Sequence, residues 1–250
     1  MDYESGAPYN QQEEDFARHL KKSYHTKNIL PLLLKNFTKE QNIKVLEYGP
    51  GLGIMADVLH ENYPSISYTA VDIDPNVLNR IKNTHLDAMT RQVNSSKDLC
   101  EFLSDKKFDV IIALDVWEHI PSIELDTYTK ESLKHLSGEG IFIAQVPNWG
   151  CPFTPNAGFA GDITHRTPFN EISARQLLLK NGADINNIKI LPYHFPRNGF
   201  LNFIRSIIRP LLLILYRLVL ALLGLQVLKI CTPNLIMLVK KNGTIAQEKI

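Results

Sequence analysis

The chain has 250 residues, 44% of them apolar and 21% charged, with a formal net charge of +1. That length and balance suit one globular domain with a substantial core and exclude a disordered chain. The near-neutral charge excludes a general nucleic-acid binder, which needs a basic footprint.

The opening stretch, MDYESGAPYNQQEED, is acidic and polar; residues 1 to about 10 read as loosely attached, and no signal peptide is expected. Residues 13–22 and 26–36 read as two helices of an N-terminal cap, 1–40. The second helix carries a stripe of Ile29, Leu30, Leu33 and Leu34, with Pro31 in its first turns. Tyr24 and His25 are surface or packing residues there, or help to cover a site. Lys44 to Tyr48 then reads as a buried parallel strand. Gly49, Gly51 and Gly53 remove side chains at alternate positions, so the backbone can turn tightly and approach a ligand. A helix from Ile54 to Tyr63 presents its free N–H groups to that loop. Tyr68 to Asp72 is a second strand ending in an acid, where a doubly wound fold meets ribose hydroxyls.

The dinucleotide fingerprint G-x-G-x-x-G wants a third glycine at Ile54, and the chain has no G-x-x-x-x-G-K-[ST] phosphate loop. A carboxylate at Glu47 disfavours a pyrophosphate and suits a ligand carrying an ammonium and a sulfonium. Here the chain resembles the class I S-adenosylmethionine-dependent methyltransferases, whose E-x-G-x-G-x-G signature is complete as Glu47, Gly49, Gly51 and Gly53. The resemblance implies S-adenosylmethionine as cofactor, held by those four residues with Asp72, Ile73, Ser95 and Asp115. A plain tight turn is the competing reading of the glycines.

Farther along, Asp74 and Pro75 signal a helix start, with the helix running from Asn76 to Lys82. Met89 to Val93 reads as the third strand, and Ser96 or Asp98 opens a helix through Leu103. The family's usual acid near this strand, which contacts the adenine amine, is replaced by Asn94 and Ser95. Lys107 to Asp115 is an apolar strand ending in an acid, followed by Val116-Trp117-Glu118-His119-Ile120-Pro121. That segment resembles the E-V-x-E-H-[IV] run of small-molecule O-methyltransferases, including those of ubiquinone biosynthesis, with Asp115 in place of their glutamate. Ser122 to Leu136 reads as a helix, Gly138-Glu139-Gly140 as a turn and Ile141 to Val146 as a strand. Residues 147–169 form a long glycine- and proline-rich loop, the kind that is usually functional. A helix over 172–181 and strands over 188–193 and 235–240 complete the pattern.

Leu201 to Ile230 is mostly apolar, most of all Leu211 to Leu225, yet short for a membrane span and interrupted by Arg217. On a helical wheel Asn202, Arg205, Ser206, Arg209 and Arg217 share one arc. This suits a helix or hairpin in a membrane interface with arginines toward lipid phosphates; a buried core insertion or a dimer interface are the alternatives.

The expected fold is α/β, a Rossmann-like doubly wound, mostly parallel sheet of seven strands with helices on both faces. Residues 41–198 and 231–242 make its core and 199–230 an insertion before the last strand, which the resemblance makes antiparallel. The expected function is methyl transfer from S-adenosylmethionine. His119 and His165 are candidate bases, Asp162 orients a histidine or holds an acceptor hydroxyl, and Arg166 and Glu118 bind the acceptor. Packing or capping for His119, loop hydrogen bonding for Asp162 and His165, and a solvated charge for Arg166 are the competing readings. The likeness to bacterial glycan-cluster methyltransferases points to a saccharide or lipid-linked acceptor, with a prenylated quinone second and a non-catalytic membrane-associated binding or scaffold protein as the alternative of another class. A cytoplasmic protein at the membrane surface is expected. The widely spaced Cys100, Cys151 and Cys231 make neither a disulfide framework nor a zinc pattern, so a reducing compartment and no metal are expected.

Overall fold

A computed structural model describes residues 11–152, 161–193, 200–226 and 228–242. The expectation for residues 1–10 and the middle of the long loop lie outside them.

Seven strands form one sheet in the order β3-β2-β1-β4-β5-β7-β6. They are β1 (Lys44–Tyr48), β2 (Ser67–Asp72), β3 (Met89–Gln92), β4 (Phe108–Leu114), β5 (Leu136–Pro147), β6 (Ile188–Pro192) and β7 (Asn234–Lys240). β1 to β5 pair in parallel, and β7 runs antiparallel to both β5 and β6. The central strands are buried on both faces, as their unbroken apolar runs require: Val110 to Ala113 and Ile141 to Ala144 are fully enclosed. One core lies on each side of the sheet, the first around Trp117 and Phe142, the second around Leu59, Tyr63 and Ile112.

The cap differs from the sequence pattern. α1 (Gln11–Asn28) is one unbroken helix and α2 (Leu30–Leu34) a short one. Pro31 explains the break: it has no N–H to bond the Lys27 carbonyl and continue the α1 ladder, and its ring crowds that carbonyl. α1 is bolted to α3 (Ile54–Asn62): Arg18 pairs with Asp57 at 2.5 Å and donates to the Leu52 carbonyl at 2.7 Å. The cap thus grips the glycine loop directly.

α4 (Pro75–Thr84) starts where Asp74 accepts from the Asn76 amide at 2.8 Å, and α5 (Ser96–Leu103) starts at Ser95. α6 (Ser122–Lys134) ends sooner than expected, because β5 begins at Leu136. The Gly138–Gly140 turn is instead an irregularity within β5, between the Phe108–Leu136 and Val110–Ile141 pairings. α7 (Glu171–Lys180) is opened by an Asn170–Ser173 capping box.

The apolar insertion is a single helix, α8 (Phe200–Leu222), running through Pro210. Ile207, Ile208, Leu211, Leu212, Ile214, Leu215, Leu218, Val219 and Leu222 are each at least 44% exposed, which rules out a buried core insertion. No helix among the described residues is long and apolar enough to cross a membrane. The side chains of Asn202, Arg205, Ser206 and Arg209 lie outside the described residues. Arg217, expected to face lipid phosphates, instead turns back on the chain and donates to the Lys229 carbonyl at 2.6 Å. The exit of the helix is anchored at the carboxyl end of the sheet. Asn148 Nδ2 donates to the carbonyls of Ile230 and Thr232, and the Glu171 carboxylate accepts from the amides of Lys229 and Ile230.

Candidate active site

At the carboxyl end of β1 the three glycines all have positive φ, 61° at Gly49, 52° at Gly51 and 74° at Gly53. A Cβ on Gly49 would stand 2.6 Å from Val116 Cγ2, and one on Gly53 2.9 Å from Ile81 Cδ1. A Cβ on Gly51 would meet nothing within 4 Å. Gly49 and Gly53 are therefore required by packing, and Gly51 opens space for a ligand.

Asp72 closes β2 beside this loop, with Oδ1 accepting from the Asp74 amide at 2.9 Å; burial raises its carboxyl above the usual range. Ile73 is exposed, and its carbonyl accepts from Gln92 Nε2 at 2.9 Å. The Ser95 hydroxyl is turned onto α5, accepting from the Asp98 amide at 3.2 Å. Glu47 sits beneath the loop, 2% exposed, and Oε2 accepts from the Tyr68 hydroxyl at 2.5 Å. Burial pushes its carboxyl up to about 7, against the hydrogen bond from Tyr68, which lowers it. The attraction for an ammonium expected of an ionised Glu47 is weakened accordingly.

Asp115 directly follows β4 with φ 57°, a left-handed geometry that aspartate tolerates. Its Oδ1 accepts from Gln145 Nε2 at 2.8 Å, and its backbone amide donates to the Gln145 carbonyl at 3.0 Å. Asp115 is exposed as a residue, and desolvation by its surroundings raises its carboxyl. Lys21 of α1 is near enough to oppose that shift, so the cap runs over this end of the sheet.

Beyond Asp115 the chain turns through Glu118 and His119, and the long loop folds back onto it. The Glu118 carbonyl accepts from the amides of Arg166 at 2.6 Å and Thr167 at 3.1 Å, which fixes the returning loop. The His119 and His165 rings meet edge to face with centroids 4.6 Å apart. Asp162 Oδ2 lies 4.0 Å from His165 Nε2. Asp162 Oδ1 accepts from both the amide and the hydroxyl of Thr164, at 2.8 and 2.6 Å, which holds this carboxyl below its usual range. Thr164 Oγ1 is also 2.7 Å from His119 Nδ1. Desolvation and the neighbouring His165 lower His119, favouring neutral imidazole. Glu118 is 1% exposed; both carboxylate oxygens are buried with no donor from another described residue, and its carboxyl is pushed well above the usual range by desolvation and then by Asp115. The side chain of Arg166 is exposed on the same loop.

The structure thus gathers Asp115, Glu118, His119, Asp162 and His165 beyond the end of β4, next to the glycine loop, whose Gly49 packs against Val116. Thr164 and Gln145 were missed in the sequence. Thr164 had a signal, since Asp162-Ile163-Thr164 fits an aspartate turn; a buried glutamine within a strand had none.

A family model described as a methyltransferase domain matches residues 16–206. Malonyl-[acyl-carrier protein] O-methyltransferase from Bacillus cytotoxicus is 27% identical over 136 residues, covering 54% of this chain and 43% of that protein. The chain therefore matches less than half the length of this relative. Among solved structures, a SAM-dependent methyltransferase from Archaeoglobus fulgidus superposes with a TM-score of 0.64 at 16% identity, over 92% of this chain and 98% of the other. Magnesium protoporphyrin IX methyltransferase from Synechocystis PCC 6803, solved with bound SAH, gives 0.57 at 12% identity, over 95% and 90%. At these identities the structural likeness establishes the fold.

Proposed function

The chain belongs to the methyltransferase-domain family, and from that premise we propose that it methylates an oxygen of a saccharide or lipid-linked glycan at a membrane surface. Its cofactor is S-adenosylmethionine. When bound, that cofactor supplies a methyl group already activated by its sulfonium, so the protein's task is alignment and handling of the acceptor proton. The residues present fit it: Gly51 leaves open space at the loop, and Asp72 ends β2 where hydroxyls need an acceptor.

The observation that carries the oxygen acceptor is the Asp162–Thr164–His119 chain. Thr164 has one hydroxyl proton and donates it to Asp162, so its oxygen accepts from His119 Nδ1–H. His119 Nε2 is then the nitrogen with the lone pair, able to take a proton from an acceptor hydroxyl. His165 flanks it, and Arg166 offers a cation for an acidic sugar or phosphate.

The apolar helix α8 supports the membrane-bound acceptor. From Phe200 to Ile230 the chain has no acidic residue and four basic ones, Arg205, Arg209, Arg217 and Lys229. Apolar exposure with one sign of charge suits an anionic bilayer, and the exit of α8 is tied to Asn148 and Glu171 at the cleft end of the sheet. The likeness to a malonyl-[acyl-carrier protein] O-methyltransferase favours a second reading, a carboxyl acceptor. Incubation with trideuteromethyl donor and three acceptors in turn separates the readings: a lipid-linked saccharide fraction, a hydroxylated prenyl quinone and a malonyl thioester. Label in the first alone supports the proposal; label confined to either of the others overturns it.

A further inference from the structure

We propose that Glu118, His119 and His165 form a binding site for a divalent first-row transition-metal ion on the acceptor side of the cleft. One ligand atom from each residue lies within 4.8 Å of the other two. The residues come from two segments 46 positions apart in sequence, since Glu118 and His119 follow β4 while His165 arrives on the returning loop. Their meeting is enforced by the amides of Arg166 and Thr167 on the Glu118 carbonyl.

Glu118 is the independent observation. Its carboxylate is buried, faces two imidazoles, and receives no hydrogen bond from another described residue. A buried carboxylate with no counter-charge and no donor beyond its own backbone amide is costly, and Asp115 nearby makes it costlier. A cation between Glu118 and the imidazoles removes that cost for both acids. His119 is prepared for it as metal-binding histidines usually are, by an outer hydrogen bond that fixes the ring. His119 donates Nδ1–H to Thr164, itself held by Asp162, which leaves Nε2 to bind.

Two nitrogens and one carboxylate oxygen suit zinc, manganese, cobalt or iron in the divalent state, whereas magnesium and calcium prefer oxygen ligands throughout. A cation with bonds of about 2.0–2.2 Å would draw the three donors inward, with positions left for an acceptor's oxygens. There it would acidify an acceptor hydroxyl, taking over from imidazole the task of loosening the proton. That role rests on the methyl-transfer reading; the binding itself does not.

The test is a titration of chelator-stripped full-length protein with Zn²⁺, Mn²⁺ and Mg²⁺ by calorimetry, without methyl donor or acceptor, together with the visible absorption spectrum of the Co²⁺ form. The expected result is one Zn²⁺ or Mn²⁺ per chain, with Mg²⁺ bound far more weakly, and a cobalt band altered in Glu118→Gln and His165→Asn. Those two variants should each lose tenfold or more in affinity, and Thr164→Val about 10–100-fold. Circular dichroism checks that each variant is folded, and His165→Asn serves if Glu118→Gln is not. No stoichiometric binding by the wild-type chain, or undiminished affinity in the folded variants, overturns the proposal. S-adenosylmethionine affinity measured on the same samples keeps the two failures apart: its retention leaves methyl transfer standing without the metal, and its loss removes methyl transfer while the metal result stands.

Discussion

Thr164 Oγ1 stands 2.7 Å from His119 Nδ1, and the hydroxyl proton goes to Asp162. This pair occupies Nδ1 and leaves Nε2 of His119 for a proton or a cation. Thr164→Val removes the acceptor and releases the ring. Turnover should fall about 10–100-fold with cofactor affinity unchanged, and Thr164→Ser should restore most of it. Steady-state kinetics with donor and acceptor varied separately check this; unchanged turnover would mean that the ring is held by its packing.

Much of this was legible in the chain. The strand β1, the glycine spacing and Asp72 are local signals, because backbone period and φ preference act within a few residues. Asp115, Glu118 and His119 were legible as a strand-end segment. The convergence of His165 on Glu118 was not, since it depends on a loop returning across dozens of residues. The burial of Glu47 against Tyr68 also escaped, because a carboxylate in a strand reads as charged until its neighbours are known. The division of labour among the three loop glycines was equally hidden: of Gly49, Gly51 and Gly53, Gly51 alone faces open space.

That division predicts different failures. Gly49→Ala drives a methyl into Val116 at positive φ and should destabilise the fold by about 1–2 kcal/mol or more. Gly51→Val meets no protein atom at its Cβ and bears the strain of positive φ without that clash, so it should stay folded while losing cofactor binding. Asp72→Ala should weaken the cofactor by about 1–3 kcal/mol. Thermal melts beside cofactor titrations distinguish these outcomes.

Glu47 predicts a pH dependence of stability. Its folded carboxyl lies near 7 against an ordinary 4.5, chiefly because it is buried. Between those values the folded chain keeps a proton that the unfolded chain has released, so Glu47 makes stability fall as pH rises through that window. Glu47→Gln, which stays neutral, should flatten the slope of unfolding free energy between about pH 4.5 and pH 7 relative to wild type. Parallel slopes in urea melts would show that Glu47 ionises freely.

Leu212, Leu215 and Leu218 are exposed on α8, so polar replacements there should leave the melting temperature nearly unchanged. Each apolar side chain fully removed from water contributes roughly 1.5–3 kcal/mol. The wild-type chain should therefore sediment with vesicles, more with anionic lipid and less in high salt, and the triple Ser variant should remain in solution. A wild-type protein that forms a monodisperse dimer and ignores vesicles would assign α8 to a subunit interface.

Methyl transfer at this site should go to an oxygen of a membrane-bound acceptor. Native membranes incubated with the protein and a trideuteromethyl donor, followed by mass spectrometry of the extracted lipids and glycans, test it most directly. One labelled class is expected, carrying an ether-linked methyl on a saccharide, strongly reduced with His119→Ala and absent with Gly51→Val. Label on nitrogen or carbon, or no label from a protein that binds the donor well, would contradict it.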